Sequence, residues 1–421
     1  MRICLVNYRY FVSSGPERYL FSVKRLLEER GHEIVPFSVR YRRNEPSPWQ
    51  DYFVPPIAGD DEVMFREHSW SLPAVRRALE RAFYSREVYD ALSRELREAR
   101  PDVALVLKYE RKLSPSVLTA LRDHGVPIVV RLSDFALVCP QQHLVRDGRV
   151  CELCVGRRPL PSVRYRCVQG SFGASAVNAL AVEYARRKRF LDAVAAFVAP
   201  SDIMVRKMVE GGVPPDKMHH LPTFVQARLA RPRAERERRI CYVGRVDRVK
   251  GIDVLLDAVE LLRRGGPGHD VEVVIAGDMS TPVGEGIRAR LRDRPISGVV
   301  LPGQLDEAAV IELLQSSLAS VVPSLWYENL PNALLESLSC GTPVIASDLG
   351  SMHDILHDSG AGLLFKAGDP AALADALRSA LDGPDAEAMG ECAERLVRQR
   401  HDPGAHVDQL VDLLASVQKP T

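Results

Sequence analysis

Long apolar runs are missing from this 421-residue chain: no stretch of about 18 apolar residues is free of charge, so no segment reads as a membrane-crossing helix. A dominant charge is missing too. With 56 Lys and Arg against 55 Asp and Glu, the net +1 supplies no general attraction for nucleic acid, and such a site would need a local basic patch. Cysteine is sparse, at eight residues, far below the density of a disulfide scaffold; in a reducing compartment a close cluster points to metal before bridges. The segment after the first apolar strand, Asn7–Gly15 (NYRYFVSSG), lacks G-x-G-x-x-G, which argues against a nicotinamide-dependent dehydrogenase. The opening MRICLVNYRY turns polar after Val6, too soon for a secretory signal, so the expectation is a soluble cytoplasmic chain.

What is present is alternation. Short β-branched runs recur between longer amphipathic segments, the pattern of parallel βαβ units. In the first half the expected strands are Ile3–Val6, Glu33–Phe37, Val103–Leu107, Pro127–Val130 and Ala196–Ala199; in the second, Arg239–Val243, Val271–Ala276, Gly298–Leu301, Ala319–Val322 and Pro343–Ala346. Tyr19–Arg30 reads as a helix, with Leu20, Val23, Leu26 and Leu27 at helical spacing and Gly31 as its stop. At roughly 150 residues per domain the length allows two or three domains, and the charged stretch Ala227–Arg239 reads as the crossing between two of them. Asn44–Leu72, rich in Pro, Trp and acidic residues, reads as a long loop, either a cover over substrate or a solvated insertion.

Two segments bear chemistry. In Pro323–Ala346 (PSLWYENLPNALLESLSCGTPVIA) the expectation is a strand ending at Val322, a loop carrying Glu328, and a helix with Asn329 as N-cap and Pro331 in its first turn. Glu336 then sits on the second turn, roughly 10 Å from Glu328 at 1.5 Å per residue, about the reach from the sugar to the ribose of a nucleotide sugar. The free amides of Asn329, Leu330 and Asn332 would face a diphosphate between the two carboxylates, helped by the helix dipole. The second segment is Tyr242–Gly251 (YVGRVDRVKG), where Gly244 permits close backbone approach and Arg245 and Lys250 offer two cations for a leaving diphosphate. No Asp-x-Asp is placed as a divalent-cation site.

Four cysteines fall close together as Cys139-x11-Cys151-x2-Cys154-x12-Cys167. That spacing suits a structural zinc ion held by four thiolates, with an iron–sulfur cluster, free thiols or disulfides as alternatives. The insert from Cys139 to Ser171 has six Arg against Asp147 and Glu152, a basic surface that suits either a solvated zinc loop or contact with an anionic acceptor or membrane. Arg186–Arg189 (RRKR), just before the apolar run from Phe190 to Val198, is a second candidate for weak peripheral membrane contact.

Together these residues resemble the retaining glycosyltransferases of the GT-B fold, in particular the large family four and its bacterial members with a Cys-rich insert. The likeness rests on Val243-Gly-Arg-Val246 with Lys250-Gly251, Ile275–Asp278 (IAGD), Leu301–Gly303 (LPG), the E-x7-E pair, Cys340–Val344 (CGTPV), Gly360–Phe365 (GAGLLF) and Gly368–Pro370. It implies two Rossmann-like domains with parallel sheets facing a central cleft: 1–226 for the acceptor, with the insert at 139–171, and 227–400 for the nucleotide sugar, while the helix in 401–421 crosses back to the first. It also implies catalytic roles for Arg245, Lys250 and Glu328, donor binding by Gly15, Gly244, Asn329, Leu330, Pro331 and Glu336, and an acceptor side at Ser133 and Asp134. Where the family often has His-Asp this chain has Ser133-Asp134, and Leu221–Phe224 (LPTF) replaces its Pro-Asn-Gly. The activity expected by resemblance is transfer of a sugar from a nucleotide-diphosphate sugar, UDP or GDP type, to the hydroxyl of a small molecule, glycan or lipid-linked acceptor. No catalytic metal is expected, nor any nucleic-acid partner. The alternative is another sugar-nucleotide enzyme on the same fold, of epimerase or phosphorylase type.

Overall fold

The computed structural model describes all residues except 60–70, 229, 265–270, 384 and 419–421. The chain divides into two compact units: Met1–His143 with Glu152–Leu221 and Gly404–Thr421, and Leu144–Cys151 with Pro222–Pro403. Strands β1 (Arg2–Asn7), β2 (Glu33–Phe37), β3 (Val103–Lys108), β4 (Ile128–Arg131), β7 (Val194–Ala199) and β8 (Met218–His220) form the first unit's sheet; β5 (Val145–Arg146) and β6 (Arg149–Val150) are an antiparallel hairpin. The second sheet contains β9 (Glu237–Val243), β10 (Glu272–Ala276), β11 (Val299–Gly303), β12 (Ser317–Val322), β13 (Val344–Ser347) and β14 (Gly362–Phe365).

Both six-stranded sheets are parallel throughout, ordered β2-β1-β3-β4-β7-β8 and β11-β10-β9-β12-β13-β14. Helices cover parallel sheets on both faces, so their central strands are nearly continuous apolar runs, as RICLVN, VALVLK and SLASVV are here. Ile240, Val273, Ile275, Ala319 and Val321 of the second sheet pack against Leu255, Leu256, Val259 and Leu377 of its helices in one core.

Helix α1 (Gly15–Glu29) begins four residues before the expected Tyr19, because Pro16 sits in its first turn and Ser14 takes the N-cap; Leu20, Val23 and Leu27 are its buried face. The charged stretch Ala227–Arg239 is partly strand, since β9 already starts at Glu237, and position 229 lies outside the described residues. Within the expected loop Asn44–Leu72, Gln50–Tyr52 form a helical turn and Val39 bridges Val54, while 60–70 lie outside the described residues. Helices α2 (Leu72–Phe83), α3 (Arg86–Ala99), α4 (Ser116–Asp123), α5 (Leu160–Arg164) and α6 (Phe172–Arg187) complete the helices of the first unit that matter below. The helix Pro403–Ser416 returns to that unit: Tyr19 and His406 share a hydrogen bond of 3.0 Å, and Arg30 pairs with Asp408 at 2.8 Å. Among the described residues no helix is long and apolar enough to cross a membrane.

One core position is electrostatically mismatched. Glu95, on the buried face of α3, is 0% exposed, and neither carboxyl oxygen has a hydrogen-bond partner among the described residues. Burial pushes its carboxyl well above the ordinary glutamate range. The unfolded chain releases that proton near pH 4.3 whereas the folded one keeps it, so the native state loses stability as pH rises from about 4.3 toward the folded value. Glu95→Leu is expected to stabilise the protein by about 1–3 kcal/mol at pH 8, and by less at pH 4. Urea unfolding at the two pH values checks this; an equal gain at both would show that the mismatch is steric rather than electrostatic.

Candidate active site

In the second sheet, strand order reverses between β9 and β12, and ligands of open α/β sheets bind beyond the carboxyl ends of strands at such a point. Two loops leave there, Gly244–Gly251 after β9 and Pro323–Pro331 after β12. They are pinned together: the Leu325 amide donates to the Val249 carbonyl at 2.8 Å. Gly251 has φ +70°, and a Cβ on it would lie 1.9 Å from the Pro323 carbonyl oxygen, so the two backbones approach this closely only with glycine there.

That approach delivers Lys250 to Glu328. Its Nζ donates to Glu328 Oε1 at 2.5 Å, and the same oxygen accepts from Ser324 Oγ at 2.6 Å and Trp326 Nε1 at 2.8 Å. Lys250 Nζ also lies 5.7 Å from the centre of the Trp326 ring. Glu328 is 7% exposed. Burial alone would raise its carboxyl pKa, but the Lys250 charge and the three hydrogen bonds outweigh burial and hold it below the usual range. The backbone is fixed from a third side, where Ser351 Oγ donates to the Glu328 carbonyl at 2.8 Å. Gly350, just before Ser351, has φ +58°, and a Cβ there would meet the Tyr327 ring at 2.9 Å.

Around this pair stand the other residues expected on the donor side. Gly244 and the exposed Arg245 open the first loop, where Tyr242 Oη donates to the Arg245 carbonyl at 2.6 Å. Asn329, Leu330 and Pro331 end the second loop, and half-buried Glu336 is on the second turn of the helix Asn332–Ser339. That helix corrects the sequence reading: Pro331, not Asn329, is its N-cap, with an extended ψ of 118°. Proline disfavours the helical conformation in the residue before it, so Leu330 and Asn329 stay in the loop. Ser324 and Trp326 were missed as ligands of the carboxylate, although polar groups two and four residues before a loop glutamate were visible in PSLWYE.

The first sheet reverses between β1 and β3, and there too the strand ends are charged. Gly15 opens α1 after β1, and Ser133 and Asp134 follow β4. Asp134 pairs with Lys108, the last residue of β3, and its Oδ1 accepts from the Ala136 amide at 2.9 Å. Burial would raise the Asp134 carboxyl, but Lys108 outweighs it and holds it low. Glu110 joins this cluster: burial first, then Asp134, push its carboxyl up to about 7 against the pull of Lys108. Arg131 donates to Ser133 Oγ at 3.2 Å with its guanidinium 4.0 Å over the Tyr19 ring. Lys108, Glu110 and Arg111 were not singled out from the sequence; the turn from VALVL to KYER marked them.

The expected four-thiolate zinc centre is not assembled. Among the described residues no three His, Cys, Asp or Glu side chains converge as a metal-binding group, and none of the eight cysteines is in a disulfide. The four thiols belong to separate local structures. Cys139 closes a turn onto the Phe135 carbonyl, Cys151 pairs with Leu144 beyond the hairpin, Cys154 leads a turn to Arg157, and Cys167 follows α5. A single C-x2-C without a second pair lacks the spacing that would fold both halves of such a site together.

Solved structures with this architecture exist. Sucrose-phosphate synthase from Thermosynechococcus elongatus aligns over 99% of this chain and 98% of its own, with TM-score 0.71 and 17% identity. Anabaena HepE in complex with UDP aligns over 99% and 100%, with TM-score 0.65 and 15% identity. Two parallel Rossmann-like sheets of this order define a GT-B glycosyltransferase fold. Residues 14–223 match the model of the glycosyl transferase 4-like domain and 226–396 that of glycosyl transferases group 1, and the chain belongs to the group 1 glycosyltransferases. Phosphatidyl-myo-inositol mannosyltransferase of Mycobacterium leprae is 35% identical over 147 residues, 33% of this chain and 36% of that protein. D-inositol 3-phosphate glycosyltransferase of Paenarthrobacter aurescens is 28% identical over 222 residues, 49% and 54%. The matches thus span about a third to a half of these relatives.

The buried pair yields a coupled prediction. Lys250→Met strands the Glu328 carboxylate and is expected to destabilise the protein by about 3–5 kcal/mol, whereas adding Glu328→Gln recovers most of the loss. Urea denaturation of the two single variants and the double variant measures the coupling; a double variant no better than Lys250→Met would show that the pair is not energetically linked.

Proposed function

We propose that this protein is a retaining glycosyltransferase that moves a sugar from a nucleotide-diphosphate sugar to an acceptor hydroxyl. The carrying observation is the Lys250–Glu328 pair at the switch point of the second sheet, with Arg245 exposed on the same loop. Glu328 accepts Lys250, Ser324 and Trp326 through Oε1 alone, which leaves Oε2 for hydroxyls of the donor sugar. Glu336 serves the ribose, and Arg245 and Lys250 bind the diphosphate, with Gly244 permitting close approach of the backbone and the helix N-terminus supplying amides.

Transfer proceeds on one face of the sugar. The acceptor oxygen bonds to the anomeric carbon as the bond to the β-phosphate oxygen breaks, and the acceptor proton passes to a phosphate oxygen of the departing nucleoside diphosphate. Arg245 and Lys250 stabilise the charge that develops on the diphosphate, the role a divalent cation fills in other transferases. The carboxyl ends of the first sheet, with Gly15, Ser133 and Asp134, serve the acceptor, a small molecule, glycan or lipid-linked hydroxyl. Among donors UDP is favoured, because the similar HepE has been solved with UDP and with UDP-glucose; GDP is the second candidate.

A donor screen tests this. At 100 times its dissociation constant the right nucleoside diphosphate stabilises the fold by about 2.7 kcal/mol, visible as a rise in melting temperature with one of UDP, GDP, ADP or dTDP. Arg245→Ala and Glu336→Gln are each expected to weaken that response at least tenfold and to abolish slow hydrolysis of the matching sugar nucleotide. No response to any of the four, or unchanged activity in both variants, overturns the reading.

A further inference from the structure

Exposed apolar side chains are ordinary when scattered and informative when gathered. Eleven large hydrophobic residues are exposed among the described residues, and eight of them fall in two stretches of the first unit, Leu72–Leu79 and Leu153–Leu180. On α2, Leu72, Val75 and Leu79 repeat at helical spacing along one face, with Leu72 87% exposed. On α6, Phe172 and Leu180 are 62% and 60% exposed. At about 100° per residue they lie within roughly 80° of each other, and Arg187 falls in the same sector. These helices are neighbours: α2 meets α6 through Phe83 and Tyr184, whose rings are 5.7 Å apart, and α5, which bears Leu160 at 67% exposure, packs on α6.

The charge around these side chains is predominantly positive: on α2, Arg76, Arg77 and Arg81 stand against Glu80. From Arg157 to Arg189 the chain carries eight Lys and Arg and one carboxylate, Glu183, in a protein whose overall charge is +1. Arg187 and Arg189 make exposed pairs with Glu183 and Asp192, which water and salt screen. A soluble apolar partner would match Leu72, Leu160, Phe172 and Leu180 but would leave the cations uncompensated. A surface apolar just below a negatively charged plane matches both, since side chains of this size reach the headgroup boundary while Lys and Arg remain at phosphate level.

We propose that the face built by α2, α5 and α6 docks on a bilayer containing anionic lipid. None of the residues of this face is among those assigned to donor binding, so docking and nucleotide response are separable.

The test is co-sedimentation of the full chain with vesicles of phosphatidylcholine alone and with 30% phosphatidylglycerol. Binding is expected only with the anionic lipid, falling at least tenfold between low and high salt. Leu72→Ser/Phe172→Ser/Leu180→Ser and, separately, Arg187→Glu/Lys188→Glu/Arg189→Glu, three exposed positions, are each expected to lower the bound fraction at least tenfold, with the melting temperature and its nucleotide response unchanged. Equal binding to both vesicle types, no binding by the parent chain, or full binding by either variant overturns the proposal. So does concentration-dependent dimerisation lost in the serine variant without vesicle binding, which would assign the face to a second copy.

Discussion

A carboxylate buried to the depth of Glu328 stays ionised only where donors are held rigidly against it, and three loops of the second unit meet to do so. The Leu325–Val249 backbone bond and the contact of Gly251 with the Pro323 carbonyl set the distance between the first two. Ser351 holds the Glu328 backbone from the third. Each alone is an ordinary loop feature. Jointly they fix one side-chain oxygen among an ammonium, a hydroxyl and an indole N–H, so geometry that would cost conformational entropy at the moment of binding is already ordered in the fold.

The first unit solves a related problem with more tolerance. Lys108, Glu110, Arg111 and Asp134 gather at the carboxyl ends of β3 and β4, and buried there these four charges are not all held as firmly as one carboxylate with three donors. Burial first, then Asp134, push the Glu110 carboxyl up to about 7. The two sheets therefore present different electrostatics at equivalent topological positions: one oxygen of fixed charge at the second, and a cluster whose net charge changes around pH 7 at the first.

Much of this was legible in the residues. Central strands such as Val103–Lys108 and Ser317–Val322 announce themselves because a parallel sheet covered on both faces requires uninterrupted apolar runs. The edge strands β8 and β14 were missed: Met218–His220 is three residues long and half solvated, and Gly362–Phe365 begins with glycine, so neither shows that pattern. Lys250 and Glu328 stood out as charges at strand ends, yet their pairing did not, because 78 residues separate them and only the order β9-β12 makes their strands neighbours. The cysteine spacing misled for a related reason: proximity in sequence was read as convergence in space, while turns at Cys139, Cys154 and Cys167 direct the chain separately.

The return of the last helix to the first unit bears on how the chain is made. His406, Val407, Leu410 and Leu414 are buried there, and His406 reaches Tyr19 on α1. During synthesis, about 5–20 residues emerge per second, and the first unit must wait through the whole of the second before its closing helix leaves the ribosome. The apolar seat of that helix therefore stays uncovered in the nascent chain until the second unit has been made.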